Sequence, residues 1–70
     1  MATIKDLRIE AGLSALELAS KASVSLSSIN RMEQKKSPVK RLVVSKIVRA
    51  LSHELGRTIN LNDVDVVLAD

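Results

Sequence analysis

The stretch Ser14-Ala15-Leu16-Glu17-Leu18-Ala19-Ser20-Lys21-Ala22-Ser23-Val24-Ser25-Leu26-Ser27-Ser28-Ile29-Asn30-Arg31-Met32-Glu33-Gln34 decides how this chain folds. Ser14 stands three residues before Glu17, the spacing at which a hydroxyl caps the first turn of a helix while the carboxylate reaches back to the cap amide. Leu16, Leu18, Ala19 and Ala22 then supply apolar contacts, so a helix is predicted over 15–22. Ser25 can cap a second helix, and Ile29 and Met32 recur at helical spacing, carrying it to Gln34. Ala19 is small where the two helices would cross, with Leu18, Val24, Ile29 and Met32 at interior positions. Two short helices around the connector Ser23-Val24-Ser25 therefore form the centre of the fold.

Working outward, Ile4, Leu7 and Ala11 share one helical face upstream, and Gly12 stands where that helix would stop. Downstream, Ser37-Pro38 places a capping hydroxyl before a proline at a first helical position. The stripe Val44, Ile47, Val48, Leu51 and Leu55 follows it and ends at Gly56. That start signal argues against a strand over 39–48, although β-branched residues cluster there. Asn60 can cap a last turn with Asp63, and Val64 to Leu68 reads as helix or strand. The expectation is an all-α domain of five helices occupying residues 1–70 as one unit.

Composition narrows the chemistry. The 70 residues contain no Cys and a single His, so neither a disulfide framework nor a zinc site built on thiolates can form. His53, beside Glu54 near a helix end, reads as a cation at a helix C-terminus, and no Gly-rich phosphate loop is present. No enzyme and no cofactor are expected. No apolar run approaches the roughly 18–20 residues of a bilayer span, and the first residues lack a secretory layout, which predicts a cytoplasmic protein without membrane contact. Aromatic residues are absent, which removes the stacking platforms that single-stranded nucleic acids require.

Charge is segregated along the chain. Residues 1–30 balance to zero, residues 31–57 carry eight bases against Glu33 and Glu54 for an excess of +6, and residues 58–70 hold Asp63, Asp65 and Asp70 for −3. One face suited to a polyanion and another held away from it is the arrangement this implies, and a basic run can also be no more than a solvated face. With stacking excluded, the polyanion would be duplex DNA. The helical pair of residues 15–34 has the spacing of a helix-turn-helix, whose second helix can enter a major groove, and equally of an ordinary helical hairpin.

In order and without gaps, Ile4-Lys5-Asp6-Leu7-Arg8, Gly12-Leu13-Ser14, Glu17-Leu18-Ala19, Ala22-Ser23-Val24-Ser25 and Ser28-Ile29-Asn30-Arg31-Met32-Glu33 resemble the Cro/cI-type phage-repressor regulators, the XRE family of helix-turn-helix proteins. The likeness runs on through Val44, Lys46-Ile47 and Ala50-Leu51, and Ile59 to Val64 resembles that family's capped fifth helix. What the resemblance implies is a five-helix, lambda-repressor-like domain that binds a two-fold operator as a homodimer and represses a promoter. It also implies a bacterial or phage-encoded chain associated with the nucleoid. Three positions depart from the pattern. Ala15 stands where the family carries a glutamine that supports phosphate and recognition-helix contacts. Ser23 replaces the turn glycine, which requires a left-handed serine, and Lys35 replaces the glycine after the third helix.

Base contacts are expected from Leu26, Ser27, Asn30 and Arg31 on the third helix. The resemblance puts such contacts at the positions of Leu26, Ser27 and Arg31, where Arg31 can grip guanine through O6 and N7 and Leu26 can pack on a thymine methyl. Ser25 and Ser28 at the helix start, with Lys35, Lys36, Lys40 and Arg41 beyond its end, are the expected phosphate contacts. Cations at the start of a helix oppose its dipole, so Lys40 and Arg41 suggest an anion supplied from outside. Lys46 and Arg49 read as the wet face of the fourth helix. Arg8 and Glu33 match a pair that ties the first helix to the end of the third in this family. Residues 60–70 are the expected dimerisation tail. A rival reading makes the same fold a protein-binding module, an antitoxin or a modulator of a partner repressor, with Leu26 and the apolar tail as its contact surface.

Overall fold

The computed structural model describes residues 3–34 and 38–69. Each of the first three helices begins on a side chain that closes its own first turn. In α1 (Ile4–Glu10), Thr3 Oγ1 accepts from the Asp6 amide at 3.0 Å, while the Asp6 carboxylate accepts from the Thr3 amide. In α2 (Ala15–Ala22), Ser14 Oγ accepts from the Glu17 amide at 3.1 Å and Glu17 Oε1 accepts from the Ser14 amide at 2.9 Å. Ser25 Oγ accepts from the Ser28 amide at 3.2 Å to open α3 (Leu26–Gln34). Helix starts carry unpaired amides, and these oxygens satisfy one in each case. The helix α2 ends on Ser23 in the left-handed region, φ 58°, the conformation that the glycine-free turn demands.

The fourth helix, α4 (Arg41–Leu55), starts later than Ser37-Pro38 suggests. Lys40 is its N-cap and makes no side-chain capping bond; Pro38 lies outside the helix, and Ser37 falls outside the described residues. The reason is the use made of Val39. Its amide donates to the Val67 carbonyl and its carbonyl accepts from the Ala69 amide, both at 2.9 Å, which pairs Val39 with Leu68 as an isolated parallel bridge. A residue bonded on both polar groups to a neighbouring extended segment cannot join a helix, and a proline just before it is compatible with extended backbone.

The predicted fifth helix is a single 3-10 turn, Leu61–Asp63. After it the chain runs extended, in keeping with the β-branched Val64, Val66 and Val67. The domain is therefore all-helical with four α-helices among the described residues, rather than five.

Helix α2 packs against both α3 and α4, and α1 closes against the same two. Ile4, Leu18, Ile29, Val44, Ile47 and Leu51 are the largest fully buried side chains. Ile59 and Val64 complete the core from the C-terminal segment, with Leu61, Val66 and Leu68 packed partly against it. Fixing Ile59 is Ser52, whose hydroxyl accepts from the Ile59 amide at 2.9 Å. The tail thus spends most of its apolar surface on its own core, leaving Val67 as its exposed large apolar residue at 52%.

Candidate nucleic-acid interface

Helix α3 is divided lengthwise. Ile29 and Met32 are buried against the core, while Leu26, Ser27, Asn30 and Arg31 are exposed. At about 100° per residue the four exposed positions occupy one contiguous arc, and the two buried ones lie across the axis from it. The residues expected to touch bases therefore share one solvent face of a rigid helix. Arg31 has no ion-pair partner among the described residues. Its five donors are uncommitted.

The start of α3 suits an anion. No acidic residue occupies its first turn. Ser25 and Ser28 lie with their hydroxyls 3.0 Å apart, so one hydroxyl proton is spent between them and the other is left to donate outward. Free amides at the same helix end point the same way. Ala15, at the start of α2, contributes no polar group beside them.

Lys40 and Arg41 are exposed at the start of α4, where the first turn likewise holds no acidic residue. Lys35 and Lys36, the other two expected phosphate contacts, lie outside the described residues.

Arg8 and Glu33 hold α3 in place. Arg8 Nε donates to Glu33 Oε2 at 2.7 Å and Nη2 to Oε1 at 3.1 Å, a two-pronged pair, and Nη1 donates to the Leu13 carbonyl at 2.9 Å. The Glu33 hydrogen bonds raise the pKa of Arg8 further above its already basic value. One guanidinium thereby binds the end of α3, the loop before α2 and its own helix. Sequence reasoning did not find the comparable tie between Arg57 and Glu10, where Arg57 Nη2 donates to Glu10 Oε1 at 3.3 Å; the separation of 47 residues leaves no local signal for it.

A helix-turn-helix family model matches residues 4–52. The chain belongs to this family, the XRE or Cro/cI type of helix-turn-helix protein. No curated protein and no solved structure matches the chain. The matched residues of the XRE-type domain run from α1 into the second half of α4, and so include the whole exposed face of α3. The family is one of DNA-binding transcription regulators. Among the described residues no helix is long and apolar enough to cross a membrane.

Proposed function

We propose that the chain is a sequence-specific, duplex-binding repressor that reads an operator with the exposed face of α3. One observation carries the reading: Leu26, Ser27, Asn30 and Arg31 stand together on solvent while Ile29 and Met32 anchor the opposite face in the core. A helix held in this way presents a backbone with little conformational freedom left to lose on binding. Arg31 is assigned to a guanine edge and Leu26 to a thymine methyl, with Ser27 and Asn30 between them. Ser25, Ser28, Lys35, Lys36, Lys40 and Arg41 are assigned to phosphates, which position the domain without reading sequence.

Two copies on a two-fold site would set their α3 helices ~34 Å apart, one duplex turn. The tail of residues 60–70, with Val67 exposed, is the surface proposed to join them. A mobility-shift titration on the DNA upstream of the coding region, repeated at several salt concentrations, tests the function. Tight, salt-sensitive binding there and weaker binding to unrelated duplex is the expected result; equal affinity for both would remove the operator reading.

A further inference from the structure

Outside the face assigned to the duplex, four basic side chains line a groove between the end of α2 and α4. Lys21 comes from α2, and Lys46, Arg49 and His53 come from α4. All four are exposed. The groove holds about 590 Å³, inside the ~300–1,000 Å³ of small-molecule sites. Ala22 and Ala50 also line it, side chains too short to fill it.

The charge in the groove is poorly compensated. Among the described residues Glu54 is the one acid lining it, and its Oε2 lies 3.7 Å from Lys21 Nζ. Lys46, Arg49 and His53 have no ion-pair partner among the described residues. Lys21, Lys46 and Arg49 against Glu54 leave a net +2 with His53 neutral. A helix dipole accounts for cations in the last turn, such as His53, but not for Lys46 and Arg49 in the middle of α4.

Spacing and lining together select the ligand. Lys46, Arg49 and His53 stand at i, i+3 and i+7, one stripe that spans about 10 Å along the axis at 1.5 Å per residue. A chain of linked phosphates can lie along this stripe and meet each side chain in turn, whereas a single small anion would require all three long side chains to bend toward one point. Among the described residues no large apolar side chain lines the groove, so it offers none of the anchors on which protein interfaces depend; the exposed Ile9, Leu16, Leu26, Leu42 and Val67 all lie elsewhere. The chain holds no Phe, Tyr or Trp, so the groove offers a base no platform larger than the His53 imidazole.

We propose that this groove binds a small molecule carrying linked phosphates, held chiefly through those phosphates. Inorganic polyphosphate and the phosphate chain of a nucleotide share that chemistry. The site makes no use of α3, so the proposal does not depend on the operator reading.

The test is titration of the full chain, without DNA, by calorimetry and by amide chemical shifts, using sodium tripolyphosphate, adenosine triphosphate, orthophosphate and hexaglutamate as probes. Tripolyphosphate and adenosine triphosphate should bind alike, with orthophosphate and hexaglutamate at least about tenfold weaker, and the shifts should centre on Lys21, Lys46, Arg49 and His53. The double change Lys46→Gln with Arg49→Gln should weaken tripolyphosphate by about tenfold or more, the scale of lost charge-assisted hydrogen bonds. Glu54→Gln should tighten it, since it removes the opposing charge. Absence of binding, shifts centred on residues 25–31, or adenosine triphosphate binding where tripolyphosphate does not would each overturn the proposal. Hexaglutamate binding as tightly as tripolyphosphate would overturn it in favour of an acidic-peptide surface.

Discussion

Arg8 Nε lies 2.7 Å from Glu33 Oε2, joining residues 25 positions apart and fixing the C-terminal turn of α3 to α1. Only 15% and 11% of the two side chains remain exposed, so water can do little to replace a lost partner. Glu33→Ala leaves the partly buried Arg8 guanidinium with the Leu13 carbonyl as its remaining acceptor among the described residues. The expected cost is about 3 kcal/mol, the lower end for breaking a buried pair. In a domain of this size that lowers the melting temperature by on the order of 12 °C or more. A thermal melt within a degree or so of the parent would show that the pair does not hold α3.

Ser23 takes a left-handed backbone, φ 58°, in the turn between α2 and α3. An L-residue there carries a penalty that glycine escapes. Ser23→Gly should therefore stabilise the domain by about 1 kcal/mol, raising the melting temperature by roughly 4–8 °C, with no effect on the identity of the preferred operator. A fall in melting temperature would mean the turn is built differently.

Two exposed carboxylates titrate below their ordinary range. Hydrogen bonds from Ser14 lower Glu17, and those from Arg57 lower Glu10. A carboxyl whose pKa is lower folded than unfolded binds its proton less readily in the native state. Its contribution is complete above the unfolded value of about 4.3 and is lost as pH falls through the folded value. The melting-temperature gap between the parent and Glu17→Gln should be constant from about pH 6 to 8 and should narrow below about pH 4. A gap that widens on acidification would reverse the sign argued here.

The tail supplies Val64 to the core and presents Val67 outward. Deleting everything after Asn62 would thus remove core as well as any interface, and the informative change is Val67→Asp. Sedimentation should find the parent as a dimer and Val67→Asp as a monomer that keeps its helical circular dichroism, and the parent alone should melt at a temperature that rises with protein concentration. A variant that sediments as the parent does would take the tail out of the interface.

The helices were legible where a local signal fixed them. Ser14 with Glu17 marked the start of α2, Ser25 that of α3, and the spacing of Val44, Ile47, Val48 and Leu51 the buried face of α4. Missed features depend on contacts distant in sequence. Val39 is extended because Val67 and Ala69 bond it, and no pattern within 37–41 shows that, so Ser37-Pro38 read as a helix start. Val64 to Leu68 was ambiguous because β-branched residues suit a short strand as well as a buried helix end, and the partner that decides it lies 29 residues upstream. In the candidate interface, the exposed arc of Leu26, Ser27, Asn30 and Arg31 follows from the buried Ile29 and Met32. Lys46 and Arg49 read singly as solvated charge and His53 as a cation at a helix C-terminus, since only the packing of α2 on α4 brings Lys21 beside them.

The central claim, that α3 reads bases, is tested most directly by the affinity of Arg31→Ala for the preferred operator and for unrelated duplex, measured across a salt series. Arg31→Ala should lose about 1–3 kcal/mol on the operator and much less on unrelated DNA. Lys40→Ala, by contrast, should weaken both alike and flatten the dependence of log affinity on log salt by up to about 0.9. Should Arg31→Ala weaken every duplex equally, or none, the exposed face of α3 would not be the surface that recognises sequence.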